Sequence, residues 1–523
     1  MLGLELVVVL GVAILVCSLL GRRLRVAPPV LLLLAGVLLG FVPALRRVQL
    51  PPEAVLLLFL PALLYWESLT TSLREIRSNL RGIVLMSTVL VIATAGAVAT
   101  VAHALGLPWG PAWVLGTAVA PTDATAVGVL ARTLPRRTVT ALRAESLIND
   151  GTALVIYGLA VGITVGEERL SAPHVGVLFF VAYGGGAVIG ALTAWIGERA
   201  RRSLDDPLLE NVVMLLIPFT AFLLAELVHA SGVLAVVIAG LIISQVGPRV
   251  GRAAMRRQAE ASWSLAAFLL NGSLFVLVGL EAQSAVRSLT SDDVTHALLA
   301  VAAVSVTLLA VRVAFLFVAV YVIRLLDRRP QQRLRRVGHR ARVVSGISGF
   351  RGAVSMAAAL AVPHALNSGA PFPHRDLIVF VTAGVIVVTM LQALLLPGVV
   401  RWARLPRDTA LDRERCLAQT LATEEALAAL PQIAAELDTD AELVDRLRKE
   451  YEDHLLVLRA GSDDPAPRRD RQYTALRLAL LAHKRATVLR LRDERRIDDT
   501  VLRQVQTRLD NEEIRLSRPE AID

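Results

Sequence analysis

Six ionisable side chains of Asp, Glu or Arg type stand well inside long apolar runs: Asp123, Glu145, Asp150, Glu226, Arg312 and Arg351. A charge at the centre of a bilayer is expensive, so each is expected to be functional or partnered. Asp150 has the richest company, in Ala144-Glu145-Ser146-Leu147-Ile148-Asn149-Asp150-Gly151-Thr152. On a helix, Ser146, Asn149 and Asp150 stand at i, i+3 and i+4, which predicts a hydroxyl, an amide and a carboxylate on one face. Those are oxygen ligands for a hard cation. Thiolate and imidazole are absent from the stretch, so it does not suit a transition metal. Removing water from a carboxylate favours its protonated form, so one such group can hold either a cation or a proton. That competition is the minimal mechanism for exchanging the two.

The neighbouring charges have more than one reading. Asp123, in Ala120-Pro121-Thr122-Asp123, either joins the cation/proton site or compensates half-helix dipoles and freed backbone donors. Thr122 either lends an oxygen to the cation or caps a half-helix. An unpaired Glu145 or Arg351 would be costly, so the two are expected to pair across the midplane as scaffold. Arg312 needs a partner that the sequence does not identify. Glu226, in Ala225-Glu226-Leu227-Val228-His229, lies toward the far end of its run, where it either draws in cations or bonds locally.

The elements that must position these groups are membrane spans. Apolar runs recur over residues 2–20, 28–42, 52–66, 83–105, 112–130, 141–165, 175–197, 208–229, 232–245, 263–280, 296–323, 343–362 and 377–400, most of them long enough to cross a hydrocarbon core of roughly 30 Å. A soluble protein is excluded. The first run lacks a basic leading region and a small-residue cleavage pattern, and is expected to be retained. The formal charge of +10 comes from 55 Lys and Arg against 45 Asp and Glu, but it is unevenly divided. Residues 1–404 carry 34 basic and 20 acidic side chains, and residues 405–523 carry 21 and 25. In the first part, 25 arginines fall in or beside the odd-numbered gaps between spans and five in the even ones. The positive-inside rule then places the N-terminus outside and the tail in the cytoplasm, and it explains the basicity without a nucleic-acid partner. Cys17 and Cys416, one in a span and one in the tail, make a disulfide framework unexpected.

Thirteen spans divide as six, one and six, and the odd linker inverts the second six relative to the first. Span 5 then matches span 12. Pro121 interrupts the former, and Ser345-Gly346-Ile347-Ser348-Gly349-Phe350-Arg351-Gly352 weakens the latter with three glycines. The expected fold is an all-α polytopic membrane protein with discontinuous crossing helices in spans 5 and 12 and a helical tail. Paired breaks of this kind point to a midplane site.

With those stretches in view, Glu145-Ser146-Leu147-Ile148-Asn149-Asp150-Gly151 resembles the Asn-Asp signature of the monovalent cation/proton antiporter-1 family, the sodium/proton exchangers. Pro121-Thr122-Asp123, the run from Ala225 to Ala235 and Gly349-Phe350-Arg351-Gly352-Ala353-Val354-Ser355 agree with it, and the resemblance spans roughly residues 1–404. It implies a homodimer in the inner membrane, with a dimerisation domain and a mobile core that rocks to carry sodium (or lithium or potassium) one way and protons the other, without a bound cofactor. It implies cation and proton binding at Asp150, with Thr122 and Ser146 as sodium ligands, and an ion pair between Glu145 and Arg351. The Asn-Asp form, with Asn149, implies electroneutral one-for-one exchange. Many relatives have Pro where this chain has Ala124.

Other classes fit less well. A paired-carboxylate intramembrane hydrolase using Asp123 and Asp150 lacks the Gly-x-Gly-Asp setting, and no His-Glu-x-x-His helix offers a zinc route. A passive cation channel leaves the protonatable Asp150 unexplained. From residue 405 the apolar runs stop, and amphipathic patterns over 420–437, 442–458 and 473–492 predict a small helical domain with a regulatory or dimer-contact role. A further helix is expected after Asp499 as its cap.

Overall fold

A computed structural model describes residues 2–24, 26–43, 45, 55–123, 136–166, 172–250, 253–288, 291–326, 338–404, 410–459, 466–494, 496 and 498–517. The chain divides into two compact units, Met1–Arg407 and Asp408–Asp523.

The first unit is built of helices. In chain order they are α1 (Leu2–Leu24), α2 (Pro28–Leu39), α3 (Leu60–Thr70), α4 (Leu73–Val84), α5 (Leu90–Ala104), α6 (Trp109–Val119), α7 (Arg136–Val165) and α8 (Ala172–Arg202). They continue as α9 (Pro207–Leu227), α10 (Gly232–Val250), α11 (Ala253–Ser288), α12 (Ser291–Leu326), α13 (His339–Ile347), α14 (Ala353–Leu360), α15 (Arg375–Gln392) and α16 (Leu396–Ala403). Among the described residues, eight helices are long and apolar enough to cross a membrane, and three shorter apolar ones accompany them. Wide π-helical turns, Val55–Phe59 and Leu85–Val89, lead into α3 and join α4 to α5; such turns often occur beside functional sites.

Local chemistry sets many of the ends. Pro28 and Pro29 open α2 after an extended Ala27, where the missing N–H costs nothing. Ser72 caps α4 by accepting from Glu75 N at 3.4 Å, and Asp206 caps α9 by accepting from Leu208 N at 2.8 Å. One large apolar core joins residues of α1, α2, α5, α6, α7 and α11 to α16, and a second joins α3, α4, α7, α8, α9, α10 and α11. α7 contributes to both, through Leu142 and Tyr157 in one and Ala144 and Leu147 in the other. The helix carrying Asp150 therefore sits where two packed bodies meet. Elsewhere, α2 and α11 approach backbone to backbone at Gly36 and Gly279, where any side chain would overlap the facing main chain.

The second unit contains α17 (Ala410–Glu436), α18 (Ala441–Arg459), α19 (Ala466–Asp493) and α20 (Asp499–Ser517). Arg459 bonds Glu424 between α17 and α18, and Arg477 bonds Glu512 at 3.2 Å between α19 and α20. The cap of α20 is Asp498, which accepts from Thr500 N, and not the expected Asp499.

Candidate functional site

The end of α6 and the gap between α13 and α14 meet within the first unit. α6 stops at Val119, ahead of Pro121, whose ring disfavours helical geometry in the residue before it. α13 stops at Ile347, and α14 starts at Ala353, so the glycine-containing segment 348–352 is open backbone. The two open segments touch as one antiparallel bridge between Asp123 and Phe350, with Asp123 N donating to Phe350 O at 2.8 Å. Gly352 precedes α14 without a capping side chain, and a Cβ there would overlap the Asp123 carboxylate. Asp123 thus stands at the positive end of α14, which stabilises its negative charge. Arg351 serves the opposite pole: its Nε donates to Val119 O at the end of α6 (3.0 Å) and its Nη1 to Gly349 O (2.6 Å). A cation at a helix C-terminus satisfies carbonyls that have no intrahelical partner. The rest of span 5, including Ala124, lies in residues 124–135, outside the described residues.

Beside this crossing is a cavity of about 60 Å³, lined by Glu67, Thr122, Asp123, Ser146, Asp150, Asn271 and Ser355 among apolar neighbours that include Phe59 and Leu274. One water needs roughly 10–15 Å³, so there is room for a small cation with a few waters. Asp150 is 6% exposed and, among the described residues, has no hydrogen bond or ion pair. The Ser355 hydroxyl is likewise buried without a partner. Glu67, Asp123 and Asp150 do not converge into a three-ligand set, and among the described residues no group of three His, Cys, Asp or Glu side chains does.

The expected single face of Ser146, Asn149 and Asp150 is divided in the structure. Ser146 and Asp150, four residues apart, line the cavity. Asn149 and Glu145, also four apart, look into a smaller space of about 10 Å³ with Arg312 and Arg351. Each step along an α-helix turns by about 100°, so these are two adjacent stripes rather than one. Asn149 is therefore outside the lining of the larger cavity: its Nδ2 donates to Thr122 Oγ1 at 2.7 Å. Thr122 borders both spaces and couples them.

The expected pair of Glu145 with Arg351 is also corrected. Arg312 of α12 reaches Glu145 in a two-point contact, Nη1 to Oε1 at 2.6 Å and Nη2 to Oε2 at 3.3 Å, while its Nε donates to Ser345 O at 3.1 Å. Arg351 is spoken for by main-chain carbonyls, and the planar fork of Arg312 fits the carboxylate better than one donor would. The partner that the sequence left open for Arg312 is thus Glu145. Glu226 is exposed, and its Oε1 accepts from Gly232 N at 3.1 Å across the turn that opens α10. Its visible work is local.

Sequence reasoning missed Glu67, because the apolar run ends at Trp66. The signal was present. Leu60, Leu63, Leu64 and Glu67 stand at i, i+3, i+4 and i+7, and all four line the cavity. Extending the span by one helical turn would have brought Glu67 to the site.

Comparison with known proteins agrees with this architecture. The family model described as "Sodium/hydrogen exchanger, transmembrane" matches residues 11–402. An uncharacterized Na+/H+ exchanger of Mycobacterium tuberculosis is 47% identical over 99% of this chain and 97% of its own. A sodium, potassium, lithium and rubidium/H+ antiporter of Bacillus subtilis is 28% identical over 74% of this chain and 60% of its own. The structure of the sodium proton antiporter MjNhaP1 from Methanocaldococcus jannaschii matches in fold with a TM-score of 0.57 and 19% identity, covering 77% of this chain and 99% of that one. Through the length of the family match and the nearly full-length similarity to the mycobacterial exchanger, the chain belongs to the sodium/hydrogen exchanger family, whose members are multi-pass membrane antiporters.

Proposed function

We propose that the protein exchanges one sodium ion for one proton by presenting Asp150 alternately to the two sides of the membrane. The observation that carries this reading is the contrast on α7: Glu145 is paired with Arg312, while Asp150, one helical stripe away, faces a small cavity with no cationic partner among the described residues. A carboxylate left in that condition must be neutralised by something from solution, either a metal cation or a proton. Ser146 and Thr122 supply neutral oxygens for sodium, and Asp123 adds charge at the wall. Binding one ion displaces the other, so a turnover returns Asp150 to its starting state only after both have moved.

One-for-one exchange is what the resemblance implies for a chain with Asn149, whose neutral amide holds Thr122. The reading carries with it thirteen spans in inverted repeats, an N-terminus outside, a cytoplasmic tail, residence in the inner membrane and a homodimer whose cores rock against a fixed interface. Potassium is the second cation to consider, because the Bacillus relative is named for several alkali ions. Proteoliposomes holding a pH gradient, challenged with sodium, lithium or potassium, test both. Collapse of the gradient by sodium without a change of membrane potential is expected. Collapse by potassium alone would reassign the cation, and conduction without proton movement would refute antiport.

A further inference from the structure

A second polar cleft, apart from the ion cavity, lies where α13 begins and α16 ends. It encloses about 580 Å³ and is lined by Arg340, Gly398, Arg401, Trp402 and Arg404. Three of its five lining residues are arginines, and among the described residues none of the three meets a carboxylate. Among the described residues, Arg401 bonds through its Nε alone, on Pro397 O at 3.4 Å. Arg340 is held over the Trp402 ring, with its guanidinium carbon 5.9 Å from the ring centre. Such stacking fixes a guanidinium without neutralising it.

The backbone strengthens the same potential. Arg340 lies in the first turn of α13, whose N-cap Gly338 offers no side chain, so the helix's positive end is open there. Arg404 follows the end of α16 with φ 46°, in the left-handed region where glycine is usual. The position thus carries a charged side chain where a small residue would be the ordinary choice. Trp402 is 53% exposed beside this cluster, and the family match ends at residue 402, the limit of the apolar part of the chain. Tryptophan at such a limit marks the height of lipid headgroups, and basic pockets at the ends of membrane helices recognise anionic ones.

We propose that this cleft binds the phosphodiester headgroup of an anionic phospholipid, with the guanidinium groups of Arg340, Arg401 and Arg404 as donors and the Trp402 ring against the glycerol region. Three forked donors exceed what one phosphate requires, which favours a headgroup with further oxygens over a bare anion. This site is independent of Asp150, so its test does not depend on the exchange mechanism.

The purified full-length protein, stripped of lipid in detergent, is examined by native mass spectrometry and thermal unfolding with phosphatidylglycerol, with phosphatidylethanolamine of the same acyl chains, or with inorganic phosphate. Phosphatidylglycerol is expected to remain bound and to raise the unfolding temperature, while the other two do neither at equal concentration. Arg401→Gln should weaken that binding roughly fivefold, the worth of one basic side chain near an anionic headgroup, and Arg340→Gln with Arg404→Gln should add to the loss. If the combined variant folds poorly, the three single variants read the same quantity, and Arg401→Lys should retain part of the affinity. Equal retention of both lipids, phosphatidylglycerol binding that survives all three substitutions, or a matching effect of inorganic phosphate would each overturn the assignment.

Discussion

Glu145 and Asp150 share one helix and are both buried, yet among the described residues only Glu145 of the two has a basic partner. The Glu145–Arg312 contact is of the kind whose one-sided removal is damaging, because it strands a charge away from water. Arg312→Ala is expected to destabilise the protein by about 3–5 kcal/mol, whereas Glu145→Gln combined with Arg312→Met should recover most of that loss. Thermal unfolding of the purified variants checks this, and a double variant as unstable as Arg312→Ala would show that the pair is not the source of the effect. The sequence identified all these charges, because an ionisable residue within an apolar run stands out. It could not say which arginine meets Glu145, since that depends on which helices touch. It also grouped Asn149 with Ser146 and Asp150, where a spacing of three and four residues leaves the width of the stripe undecided.

At the level of elements, the stop of α6 and the gap between α13 and α14 were legible from Pro121 and from the glycines at 346, 349 and 352, because both residue types act on the backbone directly. Their contact was not, for a bridge between Asp123 and Phe350 needs three-dimensional proximity. That contact makes Gly352 intolerant of change: Gly352→Ala would drive a methyl group into the Asp123 carboxylate. A cost of about 1–3 kcal/mol is expected, with exchange lost along with the crossing geometry. Wild-type transport by Gly352→Ala would mean that the crossing can relax. In the tail, the backbone N–H of Thr500 donates to Asp498 at 3.1 Å and holds its carboxyl below the ordinary value of 3.8. A carboxyl lowered in the folded state supports its helix above the ordinary value and ceases to do so as the pH falls through the folded one. Amide protection at the start of α20 should therefore decrease on acidification below that ordinary value, by hydrogen exchange of the intact chain. Unchanged protection there would deny Asp498 its capping role.

Across the whole molecule, what a bilayer demands was easiest to read: long apolar runs, arginines gathered between them, and a change of character near residue 404. These patterns reflect transfer from water to hydrocarbon, which acts on composition and needs no knowledge of contacts. Glu67 escaped because it stands one residue beyond such a run while its helix continues to Thr70. The small cavity is a property of the packed unit, made by residues of α3, α7, α11 and α14 together with the open segment at 121–123. The role we propose for it is one carboxylate shared between two ions, which proton release measures most directly. Sodium is added to the purified protein in weak buffer while the pH is followed. At a pH low enough that Asp150 starts protonated, the wild type should release about one proton for each sodium bound, and Asp150→Asn should bind no sodium and release none. Sodium binding without proton release, or unchanged release from Asp150→Asn, would contradict exchange at this residue.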